Sequence, residues 1–340
     1  MSAHVHVPKA APTTESALLR EILFPTDLSP ESARAFEYAR LLAERFQARL
    51  VLLHVLPPGP VAPGVKVPET TRRAARAARE TLERWTSDLG CRQCVIVEPA
   101  DSVPGALLRC VRGASPDLVV MATHGREGLG HLLLGSVAES VIRHGRTPVL
   151  CVREPEHGAA LPFRRILVPT DLSPASRRPF ALGATIARAF DSEVLALHVA
   201  HVGDGSLVGV TAAVESALPS EAALRNFLWP EFAATRVTAR VELGSTADQI
   251  IQTARAEKAD LIVMSTHGHD SLRDRVLGRQ TERVVRAAPC PVLVARDRVG
   301  GGGAISSRPP SSRRSPSARR RRPPWPCASP SPRGATSRDR

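Results

Sequence analysis

An internal repeat is the feature that most constrains the fold. The segment ILFPTDLSP at 22–30 recurs as ILVPTDLSP at 166–174, with one difference in nine positions. The offset is 144 residues here and 143 between the two Thr-His-Gly segments at 123–125 and 266–268. Solenoid repeats recur roughly every 20 to 50 residues, so an offset this constant and this long indicates a duplicated domain.

Each copy alternates short apolar segments with longer helical patterns, which is typical of a parallel sheet covered by helices on both faces. We predict an α/β fold with five parallel strands and four helices per copy. In the first copy the predicted strands are 22–25, 49–55, 94–97, 118–122 and 148–152. A first helix follows Ser29 and Pro30, and the other helices are predicted at 69–89, 103–113 and 136–144.

The second copy has the same order of elements. Its strands are predicted at 166–169, 193–199, 236–243, 260–264 and 291–295. The helical stretch at 210–234 contains Pro219 and Pro230, and we expect these prolines to interrupt it because proline cannot donate a main-chain hydrogen bond.

The repeat and the composition together divide the chain. We predict an N-terminal extension (1–19), a first domain (20–153), a linker (154–162), a second domain (163–296) and a tail (297–340). The tail is rich in Arg, Ser and Pro and has almost no apolar residues. We expect it to be disordered, because it cannot bury enough surface to offset the entropy cost of ordering.

The charge of the chain is concentrated in this tail. The formal net charge is +13, and the segment from Val299 to Arg340 contributes +9 of it through ten arginines and Asp339. Disordered basic segments bind polyanions without specificity, so we expect no nucleic-acid binding beyond that. No apolar run reaches the roughly 18 to 20 residues of a membrane helix, and the first 20 residues do not resemble a signal peptide. We expect a cytoplasmic protein that does not span a membrane.

The six cysteines do not suggest a disulfide framework. Cys91 and Cys94 form one C-x-x-C pair between a predicted helix and a predicted strand. A structural zinc site needs further ligands at suitable spacing, so we interpret the pair as two partly buried residues and predict no metal site from it.

Two loops at the carboxyl ends of predicted strands carry residues suited to ligand binding, since open parallel sheets bind ligands at that edge. Asp27 follows the first strand, where its carboxylate either accepts a hydrogen bond from a ligand or stabilises the start of the next helix. The loop at 123–136 contains glycines and precedes a helix, so it can cradle a phosphate. It is not a Walker A loop, because it lacks the Gly-Lys-Ser/Thr sequence.

With these motifs the chain resembles the universal stress protein family in a tandem two-domain arrangement, whose domains are Rossmann-like and similar to adenine nucleotide α-hydrolases. Nucleotide-binding members carry G-x2-G-x9-G-[Ser/Thr] after the fourth strand. Gly125, Gly135 and Ser136 match this pattern, and Ala122 replaces its first glycine. The resemblance implies that ATP, or AMP or ADP, binds the first domain, with Mg²⁺ as the only accompanying metal. The implied site comprises Pro25, Thr26, Asp27, Val55, Met121, Ala122, Thr123, His124, Gly125, Gly135, Ser136 and Val137.

The second copy matches the same pattern less well. Asp171, Val199, Gly268 and Gly278 match, but Ser265 replaces the first glycine and Arg279 replaces the final Ser/Thr. Arg279 either fills the phosphate space or pairs with a phosphate. We expect occlusion, and therefore a degenerate second site in a domain that serves as a structural or regulatory partner.

The histidines at 54, 124, 198 and 267 fall at matching places in the two copies. We interpret His54 and His198 as hydrogen-bonded core or rim residues, and His124 and His267 as residues that orient the loop. No catalytic triad or acid and base pair can be assembled, so we predict no catalytic residues.

The resemblance implies a nucleotide-dependent regulatory module of the stress response, in which the domains pair within one chain, as a homodimer, or both. Two alternatives remain open. A slow ATPase would show multiple-turnover phosphate release that disappears in Gly135→Val. A ligand-free interaction protein would have two vestigial sites and would use the last strand of each copy, at 148–152 and 291–295, to pair domains or chains.

Overall fold

The computed structural model describes ten strands and eight helices within residues 19–56, 68–100, 102–123, 134–154, 156, 161–177, 179–200, 218–266 and 277–295. In the first half the strands are β1 (Glu21–Pro25), β2 (Arg49–Leu56), β3 (Gln93–Pro99), β4 (Leu118–Ala122) and β5 (Val149–Val152). The helices of this half are α1 (Pro30–Phe46), α2 (Glu69–Trp85), α3 (Val103–Ala114) and α4 (Ser136–His144).

The second half repeats this order, so the predicted fold class is confirmed. Its strands are β6 (Arg165–Pro169), β7 (Glu193–Ala200), β8 (Arg236–Leu243), β9 (Leu261–Ser265) and β10 (Val292–Ala295). Its helices are α5 (Phe180–Phe190), α6 (Glu221–Phe232), α7 (Thr246–Ala256) and α8 (Arg279–Ala287).

All ten strands form one sheet, in the order β3-β2-β1-β4-β5-β10-β9-β6-β7-β8. The strands are parallel within each half, whereas β5 and β10 pair antiparallel, with Leu150 opposite Leu293. In the first half the strand order reverses between β1 and β4, which are neighbours in the sheet but not consecutive in the chain. In the second half it reverses between β6 and β9 in the same way. Each half therefore has a topological switch point at the carboxyl ends of two adjacent strands.

Helices cover both faces of this sheet. Successive strand residues point to opposite faces, so Phe24 belongs to one buried cluster and Leu23 to the other. The first cluster contains the buried residues of α1, α2, α5 and α6, and the second contains those of α3, α4, α7 and α8. Consequently the helices that follow β1 and β4 lie on opposite sides of the sheet.

The first helices of the two halves differ in length. Ser29 caps α1, because its Oγ accepts a hydrogen bond from the Ser32 main-chain N–H at 3.1 Å, and α1 runs for 17 residues. In contrast, α5 begins at Phe180 and has 11 residues. A helix starting earlier would hold Pro179 in its interior, where the missing N–H removes a helical hydrogen bond and the ring crowds the preceding turn.

One aromatic cluster joins the two halves on the face that carries α1 and α5. Phe163 is fully buried between Tyr38 of α1 and Phe190 of α5, with ring centroids 5.9 and 5.6 Å apart. The Arg45 side chain at the end of α1 donates to the Ala189 carbonyl of α5 at 2.7 Å. Burial raises the pKa of the Tyr38 hydroxyl to about 12.

Two expectations from the sequence need adjustment. Helix α2 ends at Trp85 rather than near 89, and Pro230 is accommodated inside the last turn of α6. Pro219 lies just before the Ser220 cap of α6, while residues 210–217 of the predicted helical stretch lie outside the described residues. The expected tail lies entirely outside them as well, and Leu19 is the one residue of the expected N-terminal extension that is described. None of the helices in the described ranges has the length and apolar character needed to cross a membrane.

Candidate functional site

The loop after β1 is fixed by its own polar side chains. The Asp27 Oδ1 atom accepts hydrogen bonds from the Ser32 hydroxyl at 2.6 Å and from the Ser29 main-chain N–H at 3.0 Å. Thr26 Oγ1 accepts from the Leu28 N–H at 3.0 Å and thereby supports the left-handed backbone of Leu28, whose φ is 62°. The structure therefore holds the Asp27 carboxylate in one position at the carboxyl end of β1.

Asp27 thus has the turn-stabilising role that was one of its two interpretations, while Ser29 provides the helix cap. These contacts do not exclude a second role toward a ligand, because a carboxylate offers about four acceptor positions. Ser32 was not identified as a site residue from the sequence. Its signal was present: the repeat places a serine five residues after the aspartate in both copies, at 32 and at 176.

The start of α4 lies close to the end of β4. The Thr123 N–H donates to the Val152 carbonyl at 3.0 Å, and the Thr123 carbonyl accepts from the Gly135 N–H at 2.8 Å. The second bond joins the residues on either side of the segment 124–133. That segment lies outside the described residues, and so do His124 and Gly125 of the predicted site. The Gly135–Ser136 junction is therefore positioned beside the last residue of β4, Ala122.

Helix α4 presents main-chain donors at this position. Gly135 precedes the helix and contributes no side-chain cap, and the first bond within the helix runs from the Glu139 N–H to the Gly135 carbonyl. The N–H groups of the three residues between them consequently have no acceptor within the helix. Such N–H groups and the partial positive charge of the helix end favour an anion, so this part of the site fits a phosphate group.

The Asp27 loop and the start of α4 follow the two strands of the switch point. In the β1–β4 ladder Leu23 lies opposite Val119, so the carboxyl ends of these strands are adjacent. Because α1 and α4 leave the sheet on opposite faces, a crevice opens between their first turns. The structure therefore brings the two predicted loops of the first half to one edge of the sheet.

The remaining predicted residues of this site surround that edge. Thr26, Val55, Met121 and Thr123 are buried, Ser136 is exposed, and Pro25, Asp27, Ala122, Gly135 and Val137 are half-buried. Ala122 carries one methyl group where the family pattern has a glycine.

The second half reproduces the same frame with different side-chain contacts. Leu172 has the same φ of 62°, but here the Ser173 hydroxyl, rather than that of Ser176, donates to Asp171 Oδ1 at 2.6 Å. The Ser176 hydroxyl instead lies 2.8 Å from both the Ser173 carbonyl and Thr170 Oγ1. Asp171 is exposed, whereas Asp27 is half-buried.

The start of α8 corresponds to the start of α4. Gly278 donates to the Thr266 carbonyl at 3.1 Å, and an added Cβ would lie 2.8 Å from that oxygen, so only glycine fits there. Arg279 is exposed and its side chain makes no hydrogen bond or ion pair with any described residue. Ser265 and Val199 are half-buried, and Gly268 lies outside the described residues.

Two of the four repeated histidines can be examined in the structure. His54 Nδ1 lies 2.8 Å from the Thr26 carbonyl, and His198 Nδ1 lies 2.9 Å from the Thr170 carbonyl. A carbonyl only accepts, so each Nδ1 carries the proton, and both rings are half-buried supports of the strand ends. His124 and His267 lie outside the described residues.

The two cysteines of the C-x-x-C pair are in different states. Cys91 has a free thiol whose pKa burial raises to about 11, so it is a weak nucleophile at neutral pH. Cys94 is disulfide-bonded, which the sequence did not indicate. Because Cys91 has a free thiol, Cys91 and Cys94 are not bonded to each other. No group of three His, Cys, Asp or Glu side chains within those parts is arranged to hold a metal ion.

Two doubly wound α/β halves joined in one continuous sheet, each with a helix that starts at its switch point, define a tandem α/β protein. The universal stress protein family matches residues 19–153 and again residues 162–296. The chain belongs to the universal stress protein family.

Individual relatives support this assignment. A universal stress protein from Mycolicibacterium smegmatis is 30% identical over 306 residues, which is 84% of this chain and 99% of that protein. One from Methanocaldococcus jannaschii is 36% identical over 149 residues, covering 41% of this chain and 85% of the relative. The crystal structure of a universal stress protein from Archaeoglobus fulgidus has the same fold, with a TM-score of 0.61, 21% identity, and coverage of 84% of this chain and 99% of that chain.

Proposed function

We propose that the first domain, residues 20–153, binds an adenine nucleotide, ATP or alternatively AMP or ADP. The observation that carries this proposal is the start of α4, where three main-chain N–H groups without helical acceptors adjoin the switch-point crevice. In the proposed arrangement the phosphates bind at Gly135, Ser136 and Val137, together with Gly125.

The base lies at the opposite side of the crevice in this arrangement. Asp27 accepts a hydrogen bond from the adenine amino group, and the main chain at Val55 contacts the same base. The fixed carboxylate supports this role, because Ser32 and Ser29 hold it in place before a ligand arrives and so reduce the entropy cost of binding. Pro25, Thr26, Met121, Ala122, Thr123 and His124 complete the proposed site, and any Mg²⁺ accompanies ATP.

Nucleotide occupancy then regulates association or conformation in a cytoplasmic stress response. The second domain, residues 163–296, acts as the partner of the first within the chain, and two chains form a homodimer. The β5–β10 ladder and the cluster around Phe163 support the pairing within one chain, since both join residues of the two halves.

The test is the nucleotide content of the freshly purified full-length chain. Heat denaturation followed by chromatography of the supernatant gives the identity of the nucleotide and the number bound per chain. About one adenine nucleotide per chain is the expected result. If the protein carries none and does not bind added ATP in equilibrium dialysis, the proposed function is wrong and the ligand-free interaction protein takes its place.

A further inference from the structure

Cys94 is bonded in a disulfide, and the cysteine content of the chain identifies its partner. The sequence has six cysteines. Four of them have free thiols, namely Cys91, Cys110, Cys151 and Cys290. The remaining one is Cys327, which belongs to the Arg-rich tail and lies outside the described residues. Within one chain, Cys327 is therefore the only cysteine that can pair with Cys94.

Cys94 lies at one end of a row of residues that crosses the sheet. It is the second residue of β3, the outermost strand of the first half. Strand pairing places it in register with one residue each of β2, β1, β4, β5 and β10, namely Val51, Leu23, Val119, Val149 and Val294. All six belong to the second buried cluster, so the row lies on one face of the sheet. Neighbouring strands are roughly 4.8 Å apart, so the five spacings of this row separate Cys94 from Val294 by about 24 Å.

The chain leaves the sheet at the other end of this row. Ala295 follows Val294 as the last residue of β10, and 32 peptide bonds separate it from Cys327. A flexible chain of this length has a root-mean-square end-to-end distance of about 30 Å and reaches roughly 100 Å when fully extended. A linker brings its end to a target most effectively when that distance is close to the span. The length of the tail up to Cys327 therefore suits the distance to Cys94.

The antiparallel pairing of β5 and β10 places this exit at the same edge of the sheet as Cys94. Val294, near the end of β10, lies opposite Val149, the first residue of β5. The end of β10 thus lies beside the starts of the first-half strands, and Cys94 is near the start of β3. The candidate nucleotide site lies at the opposite edge, where the first-half strands end.

The free thiols are poor competitors for this bridge. Cys91 precedes Cys94 by three residues, but burial raises the pKa of its thiol to about 11. Burial also raises the pKa of Cys110 to about 11 and that of Cys151 to about 12, and it raises the pKa of Cys290 as well. The thiolate is the species that attacks a disulfide, so these groups exchange slowly with the bridge at neutral pH.

We infer that a disulfide between Cys94 and Cys327 fastens the tail across the first half, and that the redox state of the surroundings opens and closes it. Disulfides in reducing compartments are mostly transient or redox-sensing, so in the cytoplasm such a bridge is a switch. As it forms, the two thiols release two protons and two electrons, and a small-molecule disulfide accepts both and leaves as two thiols. The inference goes beyond the proposed function and does not depend on nucleotide binding.

Closing the bridge changes how the basic tail is held. Seven arginines lie between Ala295 and Cys327, at 308, 313, 314 and 319–322. In the bridged form both ends of this segment are held at the edge opposite the candidate nucleotide site. In the reduced form only the end at Ala295 is held.

The test combines a thiol count with peptide mapping of the full-length chain. The chain is equilibrated with oxidised glutathione and denatured, and the remaining thiols are alkylated. We expect four thiols per chain, against six after treatment with dithiothreitol. Trypsin places Cys94 and Cys327 in separate peptides without other cysteines, 93–109 and 322–333. Mass spectrometry should find these two peptides joined.

Three variants serve as controls. Cys91→Ser is the matched control and should keep the joined peptides. Cys94→Ser and Cys327→Ser should each keep all five remaining thiols free. Cys327→Ser changes only the tail, so it stays informative if Cys94→Ser does not fold, which circular dichroism checks. ATP bound per chain should be the same in Cys327→Ser and the wild type.

The other outcomes contradict the inference. Six free thiols at every ratio of oxidised to reduced glutathione, or Cys94 joined to another cysteine or only to glutathione, would overturn it. Isotope-labelled and unlabelled chains are mixed before oxidation, and peptides joined between two chains would overturn a bridge within one chain. Weaker ATP binding in Cys327→Ser would contradict the separation of the tail from the nucleotide site. A wild type without nucleotide would overturn the proposed function and leave the bridge standing.

Discussion

The two halves share a main-chain frame and differ in what their side chains do with it. The loops after β1 and β6 have the same left-handed leucine, at residues 28 and 172, and the same bond from the main-chain N–H of that leucine to a threonine hydroxyl. Yet Asp27 is half-buried and bonded to Ser32, while Asp171 is exposed and bonded to Ser173. The repeated motif therefore has the same main-chain geometry in both halves, but its aspartate makes different side-chain hydrogen bonds.

The same contrast appears where α4 and α8 begin. Both helices start directly after a glycine that donates to the preceding threonine carbonyl. In α4 the first turn is left without side-chain ties, whereas in α8 it is bonded to β9 and α7. In both helices the first main-chain N–H groups lack a side-chain cap, so the two starts differ in where the side chains of the first turn bond.

The largest expected effect is on nucleotide binding at equivalent positions of the two helices. Ser136→Asp should weaken nucleotide binding by at least about 100-fold, because it puts a negative charge next to the bound phosphates. Isothermal titration with ATP measures it. Arg279→Asp is the matched control in the second half and should leave the affinity of the first site unchanged. Equal losses of ATP affinity in Ser136→Asp and Arg279→Asp would contradict the placement of the nucleotide in the first half.

The next effect concerns Phe163, whose ring packs against a helix of each half. Phe163→Ala should lower the free energy of unfolding by about 3–5 kcal/mol, because it removes a fully buried ring. Since the ring contacts Tyr38 and Phe190, hydrogen exchange should increase in both α1 and α5, as followed by mass spectrometry. Phe232→Ala is the control, because Phe232 packs on Phe180 within the second half. An unchanged α1 in Phe163→Ala would show that the halves are not coupled through this ring.

A smaller effect tests the Asp27 loop. Ser32→Ala removes the hydrogen bond to the Asp27 carboxylate and should weaken ATP binding by roughly 3- to 10-fold, since bonds to charged groups contribute about 1.5–3 kcal/mol and part of this is lost from folding stability instead. Ser176→Ala, at the equivalent position, should leave ATP affinity unchanged, because Ser176 makes no contact to Asp171 among the described bonds. A loss in Ser176→Ala and not in Ser32→Ala would reverse the assigned roles.

The smallest effect is a pH dependence in the second half. Burial raises the pKa of the Asp260 carboxyl above its ordinary value of 3.8, although the main-chain N–H groups of Arg165 and Arg164 act in the opposite direction. The folded state therefore holds this proton more tightly than the unfolded state. Its stabilising contribution is full below pH 3.8 and is lost as the pH rises through the folded-state pKa.

Asp260→Asn removes this titration, so the stability of the wild type relative to the variant should fall as the pH rises from 3.8 upward. Urea unfolding at a series of pH values measures the difference. Asp117→Asn is the matched control for the hydrogen bonds, because Asp117 accepts the same pair of main-chain bonds at the start of β1. A difference in the free energy of unfolding between the wild type and Asp260→Asn that stays constant with pH would contradict the prediction.

The sequence predicted the elements well and their contacts only in part. The strands at 118–122 and 236–243 and the helix at 136–144 were predicted to the residue, because apolar periodicity and cap residues are local signals. Ser32 and the ties made by Gln280 and Thr281 were not predicted. Gln280 and Thr281 bond to main-chain atoms of other elements, which local spacing does not reveal, whereas the serine five residues after the aspartate in both copies was a signal for Ser32.

By itself the sequence determined the duplication, the α/β class and the places where ligand-binding loops should occur. These follow from the repeat, the composition and the recurring motifs, all of which are read from the order of residues alone. Only the tertiary structure decided that β5 and β10 join the halves into one sheet, that Ser32 fixes Asp27, and that α8 is tied down while α4 is not. The sheet that joins the halves and the ties of α8 depend on partners in other elements, whereas Ser32 and Asp27 are five residues apart and meet because the turn after β1 brings them together.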